Sequence, residues 1–538
     1  MTTPTSPSWA FARERALHTV ARNVSTRYLS IMVEMLIGLV LLPVNLKYLG
    51  EANYGLWVLL GSVTVHFSLF ELGQGGAMVK FVAQYRALNN ARAIREIASS
   101  MFVVFGVIGV VSYALLAVLA LNLEHVFHLS AAQAAVGQWI LLIIGLHITM
   151  NFPFSVYGGV TSGFQRYDIN NLVAIVTTIV AAIVNVVVVL SGGTLIQLVA
   201  GTTGVRLLAY VVYAVNAHRV FPELRVRPSL FRMARVREVM GFSVYTTVID
   251  WANKLNYRLD EVVIGAFLGP VFVAVWAPAE RIISGIQRLT NQVNGVLFPL
   301  IVDSDTTNQR QRLQQILVQG TRFSLATVIP LSAAVFILAD PLIRVWLGSK
   351  ADEVAGAIPV LQILAIAVAV RVGDATSTTL LKGTGKHRML AGVNLTTGAV
   401  NLALSAVLIG PYGLVGVAYG TLLPISAAAG LVLFPAACRR VGLSTAYVAS
   451  YGVFPAVWPA IPAALVMWFL RGETSPTFIT VVLQSATGAL VYAALFLGMA
   501  IGARDRALYV RKARELAGRH SHGVGPKAPV TGAVVGGQ

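Results

Sequence analysis

The chain has 538 residues, of which 56% are apolar and 12% are charged, and its mean hydropathy is +0.74. Soluble globular proteins carry about 25% charged residues, so this composition excludes a string of water-soluble domains and indicates a protein that crosses a membrane many times. A single cysteine, Cys438, excludes an internal disulfide framework, and without a Cys/His cluster no metal site or cofactor is expected.

Apolar segments long enough to cross a bilayer, which takes about 20 residues per helix, follow one another along the whole chain. About fourteen of them begin near Ser25, Tyr54, Ile97, Ala134, Asn171, Thr194, Phe242, Val271, Thr321, Ala355, Leu390, Gly413, Tyr451 and Thr477. The sequence therefore predicts an all-α integral membrane protein. Residues 1–24 are polar and basic, so no cleavable signal peptide is expected.

The basic residues concentrate in alternate loops between these segments. The chain has 40 Lys and Arg against 22 Asp and Glu, and the segments 218–238 and 503–538 are especially basic. The positive-inside rule places this set of loops, and both termini, in the cytoplasm. The excess Lys and Arg residues then mark the cytoplasmic side and contact anionic lipid headgroups. No nucleic acid is expected as a partner.

A short motif occurs twice, at equivalent turns of two halves. Leu49-Gly50 precedes Trp57, and Leu268-Gly269 precedes Trp276 at the same spacing. Six spans separate the two copies, which predicts two six-helix lobes as parallel repeats, followed by two C-terminal helices. The predicted boundaries are a cytoplasmic N-terminal segment at 1–24, an N-lobe at 25–217, a basic cytoplasmic linker at 218–238, a C-lobe at 239–438, helices 13 and 14 at 450–502, and a disordered cytoplasmic tail at 503–538.

Polar residues inside span seven follow one helical stripe. At 100° per residue, its members fall within about 100° of arc, with two further residues beside it. A charged residue at mid-bilayer costs about 2.5–3.5 kcal/mol. The charged side chains of such a stripe must therefore form ion pairs or contact water. Two interpretations stay open, an internal ion-pair ladder and the wall of a cavity. The stripe consists of Asp250, Lys254, Tyr257, Arg258 and Glu261, flanked by Asn253 and Asp260.

Similar stripes occur in spans eight, one and two. Because guanidinium groups bind phosphate through forked donors, the cations among them predict a site for an anionic substrate. The predicted anion-binding residues are Arg27, Lys254, Arg258, Arg281 and Arg288. The residues expected to balance charge or couple an ion are Glu34, Glu71, Asp250, Asp260, Glu261, Glu280 and Asp374, and the polar lining is Asn253, Tyr257, Gln287 and Asn291.

Three further charged positions carry structural expectations. Arg371 and Asp374 in span ten are spaced for an i,i+3 ion pair. Arg206 in span six is isolated, and Arg322, near the start of span nine, is expected at the membrane interface. The loops are short, and the segment Gly383-Thr384-Gly385-Lys386 lacks the first glycine of a phosphate-binding loop. The sequence therefore argues against an enzyme.

Three stretches of sequence resemble a known family. Tyr48-Leu49-Gly50, Tyr54-Gly55-Leu56-Trp57 and Leu69-Phe70-Glu71-Leu72-Gly73 are similar to the first hairpin of Wzx-type polysaccharide flippases of the multidrug/oligosaccharidyl-lipid/polysaccharide exporter superfamily. The stretch 259–269 resembles that family's element of Asp, aliphatic residues, Gly and Leu-Gly. The stretch 410–418 resembles its later glycine-spaced turn. Glu71 is a departure, because the family often has Asp there.

The resemblance implies a flippase that moves undecaprenyl-diphosphate-linked oligosaccharide across the cytoplasmic membrane for cell-surface polysaccharide synthesis. Alternating access would be driven by a proton or sodium gradient, and a polysaccharide polymerase and glycosyltransferases would be partners. The general role is carried over onto Asp260, Arg258 and the span-eight arginines. A lipid-II flippase and a multidrug antiporter of the same superfamily stay open as alternatives, as does a membrane glycosyltransferase or polymerase.

Overall fold

Helices make up almost all of the described chain. The computed structural model describes residues 8–67, 74–240, 259–473 and 475–500, and these ranges contain no β-strand. The first half contains α1 Ser8–Phe67, α2 Gln74–Ala87, α3 Ala91–Leu121, α4 Leu123–Phe127, α5 Ala131–Gly163, α6 Tyr167–Leu190 and α7 Leu195–Val220. These seven helices form the N-lobe.

The second half begins after a short helix at 233–240. The C-lobe contains α8 at 259–267, α9 Pro270–Thr306, α10 Arg310–Ile337, α11 Ala339–Leu347, α12 Ala357–Gly383, α13 His387–Ala427 and α14 Phe434–Val441. The C-terminal helices are α15 Thr445–Val448, α16 Phe454–Val457, α17 Ala460–Glu473 and α18 Phe478–Leu495. One-turn π-helices at Ala428–Leu433, Ala449–Val453 and Phe496–Ala500 continue α13, α15 and α18.

Turns at equivalent positions of the two halves have matching backbones. Gly50 (φ 75°) interrupts α1 and Gly269 (φ 89°) precedes α9. A positive φ strains any residue with a Cβ, which explains why each copy of the repeated motif has glycine after leucine. Four further pairs of positive-φ residues occupy matching turns: Asn89 and Asn308, His128 and Gly348, Gln165 and Gly385, Gly192 and Gly413. The predicted parallel repeat is therefore confirmed.

Capping side chains fix where several helices begin. The hydroxyls of Ser130, Thr194 and Thr477 each accept a hydrogen bond from the backbone N–H three residues later, with a reciprocal bond to the capping residue. Asn90 caps α3 in the same way through its side-chain oxygen. These bonds satisfy N–H groups that a helix start leaves without partners, so the turns can be short.

Ten helices in the described ranges are long and apolar enough to cross a membrane. Two of them, Ser25–Phe67 and His387–Val441, are broken at Gly50 and Gly413, where the sequence predicts turns. The all-α membrane class is confirmed, whereas the count of about fourteen spans stays a prediction. The predicted tail at 503–538 lies outside the described residues.

The two ends of the bundle differ in charge. One end carries the turns near Arg86, Arg166 and Lys386, and we call it the basic face. The turns at Gly50 and Gly269 lie at the other end, the opposite face. This alternation follows the charge pattern of the loops in the sequence.

Close backbone packing joins the lobes at the opposite face. A Cβ added at Gly55 would overlap the carbonyl of Pro270, and one added at Gly265 would overlap the Leu59 side chain. Trp276, from the second copy of the repeated motif, is 0% exposed in the same core. The lobes are therefore sealed together at this face by the turns of the duplicated motif.

Arg322 joins α10 to the C-terminal helices. Its side chain is buried, and its Nη2 and Nε atoms donate to the carbonyl of Tyr451 at 2.6 and 3.0 Å, whereas its predicted position at the membrane interface stays a prediction. Pro455, four residues after Tyr451, has no N–H and cannot satisfy that carbonyl. Arg322 supplies the missing donors, which holds the C-terminal helices against the C-lobe.

Candidate functional site

Several predicted site residues lie outside the described residues. Their positions in spans two and seven stay predictions, and the interpretation of span seven as an ion-pair ladder or a cavity wall stays open. These residues are Glu71, Asp250, Asn253, Lys254, Tyr257 and Arg258, and Asn291 is described only as part of the backbone of α9.

Predicted residues from both lobes meet where α1 packs along α9. The Glu34 carboxylate pairs with Arg288 Nη1 at 3.3 Å across the interface, and the two side chains are 56% and 39% exposed. Arg281, two helical turns before Arg288 on α9, lies over Gly38, where a Cβ would meet its Nη1 at 2.9 Å. Arg27 is exposed on the same helix as Glu34, towards the basic face.

The sequence identified Glu34, Arg281 and Arg288 but not the residues that position them. Gly38 gives the Arg281 guanidinium room against α1, and the Tyr54 hydroxyl interacts with the same guanidinium from the second half of α1. Gly38 falls one helical turn after Glu34, and this i,i+4 spacing is the signal that could have revealed it.

A second group of polar residues fills a small pocket inside the C-lobe. The pocket is lined by Asp260, Glu280, Gln287, Arg371 and Thr421 and has a volume of about 40 Å³. Of the predicted residues it therefore brings together Asp260, Glu280 and Gln287, while Glu261, one residue on, is 3% exposed.

Hydrogen bonds hold the Asp260 carboxylate on one side of this pocket. The Thr421 hydroxyl donates to Asp260 Oδ2 at 2.9 Å and accepts from the Asn401 amide at 3.0 Å. Ser405, one turn after Asn401, is 0% exposed, and its Oγ has no hydrogen-bond partner among the described residues. The pocket thus contains the carboxylates of Asp260 and Glu280, the guanidinium of Arg371 and neutral oxygens next to Asp260. Oxygen ligands of this kind suit a hard cation or a proton.

The predicted i,i+3 pair between Arg371 and Asp374 does not form. Arg371 lines the pocket and is attracted to Asp260 on the neighbouring helix, whereas Asp374 Oδ2 accepts from the Thr378 hydroxyl at 3.0 Å. Asp374 Oδ1 is buried without a hydrogen-bond partner in the described part of the chain. The competing carboxylate of Asp260 accounts for the difference.

Arg206, which appears isolated in the sequence, lies in a pocket of about 410 Å³ inside the N-lobe. Trp57, His147 and Asn151 line the same pocket. Tyr210 donates from its hydroxyl to Asn151 Oδ1 at 3.2 Å and lies 3.0 Å from His147 Nε2. Each lobe thus has its own polar pocket, cationic in the N-lobe and rich in carboxylates in the C-lobe.

The charged groups of the candidate site lie at three separate places. The described residues contain no group of three or more His, Cys, Asp and Glu side chains that could hold a metal ion. The charged groups are distributed over the lobe interface and two intralobe pockets, so they can bind an anion and a small cation at separate places. Movement of the lobes would then expose these places to one side of the membrane or the other.

The chain is similar in sequence to proteins of known or assigned role. It is 30% identical to the succinoglycan biosynthesis transport protein ExoT of Rhizobium meliloti (strain 1021) over 177 residues, which is 32% of this chain and 35% of that protein. It is 21% identical to the probable flippase AglR of Haloferax volcanii over 495 residues, 90% of this chain and 97% of that protein. The chain thus spans about a third of ExoT and nearly all of AglR.

Two solved structures have the same fold. The lipid II flippase MurJ in an inward closed conformation matches with a TM-score of 0.67 at 13% identity, covering 88% of this chain and 97% of that one. An inward-facing multidrug resistance MATE transporter of the MOP superfamily matches with a TM-score of 0.60 at 14% identity, covering 77% and 98%. The sequence profile of a family described as "Polysaccharide biosynthesis protein" matches residues 49–356, more than half of the chain. The chain therefore belongs to the polysaccharide biosynthesis protein family and has the fold of the MurJ and MATE transporters.

Proposed function

We propose that this chain moves an undecaprenyl-diphosphate-linked oligosaccharide across the cytoplasmic membrane by alternating access of its two lobes. The observation that carries the proposal is the α1–α9 contact, where Glu34, Arg281 and Arg288 meet between the lobes. The names of the relatives, a succinoglycan transport protein and a probable flippase, support a lipid-linked glycan as the cargo.

The cations at the lobe interface suit a diphosphate. Guanidinium groups offer forked donors that match phosphate oxygens, and Arg288 is only half-buried, so an incoming anion can reach it. Each charge would cost about 2.5–3.5 kcal/mol if it faced lipid at mid-bilayer, which favours a wet space between the lobes. When cargo binds, its diphosphate would replace Glu34 as the partner of Arg288.

The setting of the transporter is also part of the proposal. The basic face lies in the cytoplasm with both termini, and the opposite face lies outside, as the positive-inside rule requires. The chain translocates its cargo without altering it, and cytoplasmic glycosyltransferases and an external polymerase would act before and after it.

The C-lobe pocket supports ion coupling at Asp260, with either a proton or sodium as the coupling ion. A proton would bind the carboxylate itself. Sodium would be held by Asp260 together with oxygens of Asn401 and Thr421, and the hydrogen bonds that join these three residues support this arrangement. In either case the cation neutralises a carboxylate inside the lobe, which changes how the pocket packs.

The coupling proposal is tested with Asp260→Asn. Proteoliposomes are given a sodium gradient or a pH gradient, and the wild type is expected to flip faster under one of them. The variant should lose that dependence while its amount in the membrane is unchanged. If the gradient accelerates wild type and variant equally, Asp260 does not couple the ion.

The transport proposal is tested with purified protein in liposomes that contain a fluorescent undecaprenyl-diphosphate oligosaccharide in one leaflet. We expect the wild type to move the probe and Arg281→Ala and Arg288→Ala to slow it by about tenfold or more, because each removes a charge-assisted contact. Failure of the wild type to move the probe contradicts the proposal.

The other functions predict different results in the same experiments. A lipid-II flippase would move lipid II and leave the oligosaccharide probe behind, and a multidrug antiporter would move organic cations. In cells, loss of a flippase causes lipid-linked repeat units to accumulate on the inner leaflet. Loss of a glycosyltransferase or polymerase removes polymer without that accumulation.

A further inference from the structure

The N-lobe pocket lies between the second half of α1, α5 and α7. Its volume of about 410 Å³ falls within the range of about 300–1,000 Å³ that small-molecule sites occupy. Its polar and aromatic lining includes Trp57, Thr64, His147, Asn151, Thr203 and Arg206. No function proposed above uses this pocket.

Tyr210 fixes one wall of the pocket. Its ring stacks on the His147 ring with centroids 5.6 Å apart, and its hydroxyl contacts His147 Nε2 and Asn151 Oδ1. Because the Asn151 oxygen is engaged, its amide N–H groups are the part left for a ligand. The Trp57 indole lines the same pocket, and its N–H is a further potential donor.

Arg206 gives the pocket a positive charge near the middle of the 26-residue helix α7. No carboxylate lies within ion-pair distance of it in the described part of the chain, although Glu34 is near enough to attract it. A guanidinium at this depth is energetically costly, and an anionic ligand would offset that cost. The attraction to Glu34 also places the pocket beside the Glu34–Arg288 pair.

We propose that this pocket binds a sugar of the cargo glycan that carries a carboxylate, an inference that rests on the proposed function. The Arg206 fork would take the carboxylate, since two parallel N–H···O bonds match its geometry. The Asn151 amide and the Trp57 indole N–H would donate to ring hydroxyls, and the flat indole face would cover the apolar face of the sugar.

The pocket chemistry favours this ligand over other parts of the cargo and over a cation. Arg206 repels cations, and the lining contains no Asp or Glu to bind them. A polyprenyl chain would leave the donors of Arg206, Trp57 and Asn151 without hydrogen-bond partners, which is unfavourable for buried polar groups. In the proposed function the diphosphate binds the arginines of α9. The sugar attached to the diphosphate would then enter the neighbouring N-lobe pocket.

Two synthetic probes test the inference in proteoliposomes. Both carry undecaprenyl diphosphate, one linked to glucose and one to glucuronic acid, so they differ in a single carboxylate. We expect the wild type to flip the glucuronic acid probe at least about tenfold faster, because a charge-assisted hydrogen bond is worth that much. Arg206→Gln should bring the ratio of the two rates close to one, and Arg206→Lys, which keeps the charge without the fork, should give an intermediate ratio.

Arg219→Gln is the matched control, because Arg219 lies on the same helix at the basic face and does not line this pocket. It should keep the wild-type ratio. Equal rates for the two probes in the wild type, or an unchanged ratio in both Arg206 variants, overturn the inference and leave the proposed function standing. If the wild type moves neither probe, the proposed function fails and the inference fails with it.

Discussion

Gly38 shows how a residue without a side chain shapes the charged interface. It lies on α1 beneath the guanidinium of Arg281, and an added Cβ would meet Arg281 Nη1 at 2.9 Å and Cζ at 3.3 Å. The contacting atoms belong to the end of a flexible side chain, so a methyl group would displace the guanidinium slightly, whereas a larger side chain would occupy its place. Gly38 therefore controls where the charge of Arg281 lies.

Gly38→Leu is expected to slow flipping of the oligosaccharide probe by about tenfold or more, because displacement of Arg281 removes a charge-assisted contact to the cargo. The amount of protein in the membrane should stay near that of the wild type. Gly106→Leu is the control, since a Cβ at Gly106 meets nothing within 4 Å. Equal transport by wild type and Gly38→Leu would contradict the role assigned to Arg281.

At this scale the sequence predicted which side chains share a helical face but not their partners. Periodicity placed Arg288 on a polar stripe of α9 with Arg281 at its edge, and the structure adds Glu34 from the other lobe as the partner of Arg288. The pair predicted between Arg371 and Asp374 failed for the same reason. Spacing along one helix does not reveal a carboxylate on the neighbouring helix, and here Asp260 attracts Arg371.

Among the secondary-structure elements, the C-terminal helices depend on one buried arginine. Arg322 donates to the Tyr451 carbonyl that Pro455 leaves unsatisfied. Arg322→Met should lower the free energy of unfolding by about 1–3 kcal/mol, because the carbonyl would be buried without a donor. The measurement is the thermal unfolding midpoint in detergent.

Two further variants test that explanation. Arg322→Met combined with Pro455→Ala should recover part of the lost stability, since alanine restores the N–H that proline lacks. Arg312→Met, on the same helix, removes an exposed ion pair with Asp303 and should cost no more than about 1 kcal/mol. An equal decrease in the free energy of unfolding for Arg322→Met and Arg312→Met would show that the buried contact stabilises the protein no more than the exposed ion pair does.

The linker is held to the N-lobe by a charged cluster at the basic face. The Tyr85 hydroxyl donates to Glu238 Oε1 at 2.5 Å and accepts from Arg235 Nη1 at 2.7 Å. Arg235 also pairs with Glu96 of α3 at 3.2 Å. The segment predicted as a linker at 218–238 thus packs on α2 and α3 of the N-lobe through Arg235 and Glu238.

Burial, and next the hydrogen bond to Glu238, raise the pKa of Tyr85 to about 12. The pKa of a free tyrosine is about 10, so the folded protein holds the Tyr85 proton more tightly than the unfolded chain does. The stabilising contribution is fully present below about pH 10 and is lost as the pH rises through about 12. Tyr85→Phe should therefore lower the unfolding midpoint by a constant amount up to about pH 10, and the difference should shrink above it.

Tyr412→Phe provides the matched control for that titration, because Tyr412 is 62% exposed at a turn of the opposite face. It should leave the midpoint unchanged at every pH. A difference between wild type and Tyr85→Phe that stays constant from neutral pH to about pH 12 would contradict the raised pKa.

The sequence predicted the helical elements well because each depends on local physics. Apolar length predicts a membrane helix, and Leu-Gly before a new apolar run predicts the turns at Gly50 and Gly269. The burial of Arg322 could not be predicted in this way. Its cause is the Tyr451 carbonyl, which has no backbone N–H partner because Pro455 follows, 133 positions after Arg322. The contact exists only after the C-terminal helices pack on α10.

For the whole molecule, the two copies of the repeated motif seal the lobes at the opposite face. Gly55 packs on the backbone of Pro270, and Gly265 packs on Leu59. Alternating access requires this face to open while the basic face closes. A backbone contact cannot give way like a side chain, so Gly55 is the position where an added group most directly forces the lobes apart.

Gly55→Val should shift the protein towards conformations open at the opposite face and slow the complete transport cycle. Labelling of Leu59→Cys by a membrane-impermeant maleimide, in a Cys438→Ala background, measures that opening, because Leu59 is 0% exposed in the sealed state. We expect faster labelling with Gly55→Val than without it. Gly410→Val, at the same face but with open space around it, should change neither labelling nor transport. Unchanged labelling in Gly55→Val would mean that the duplicated turns do not form the gate, whatever the cargo.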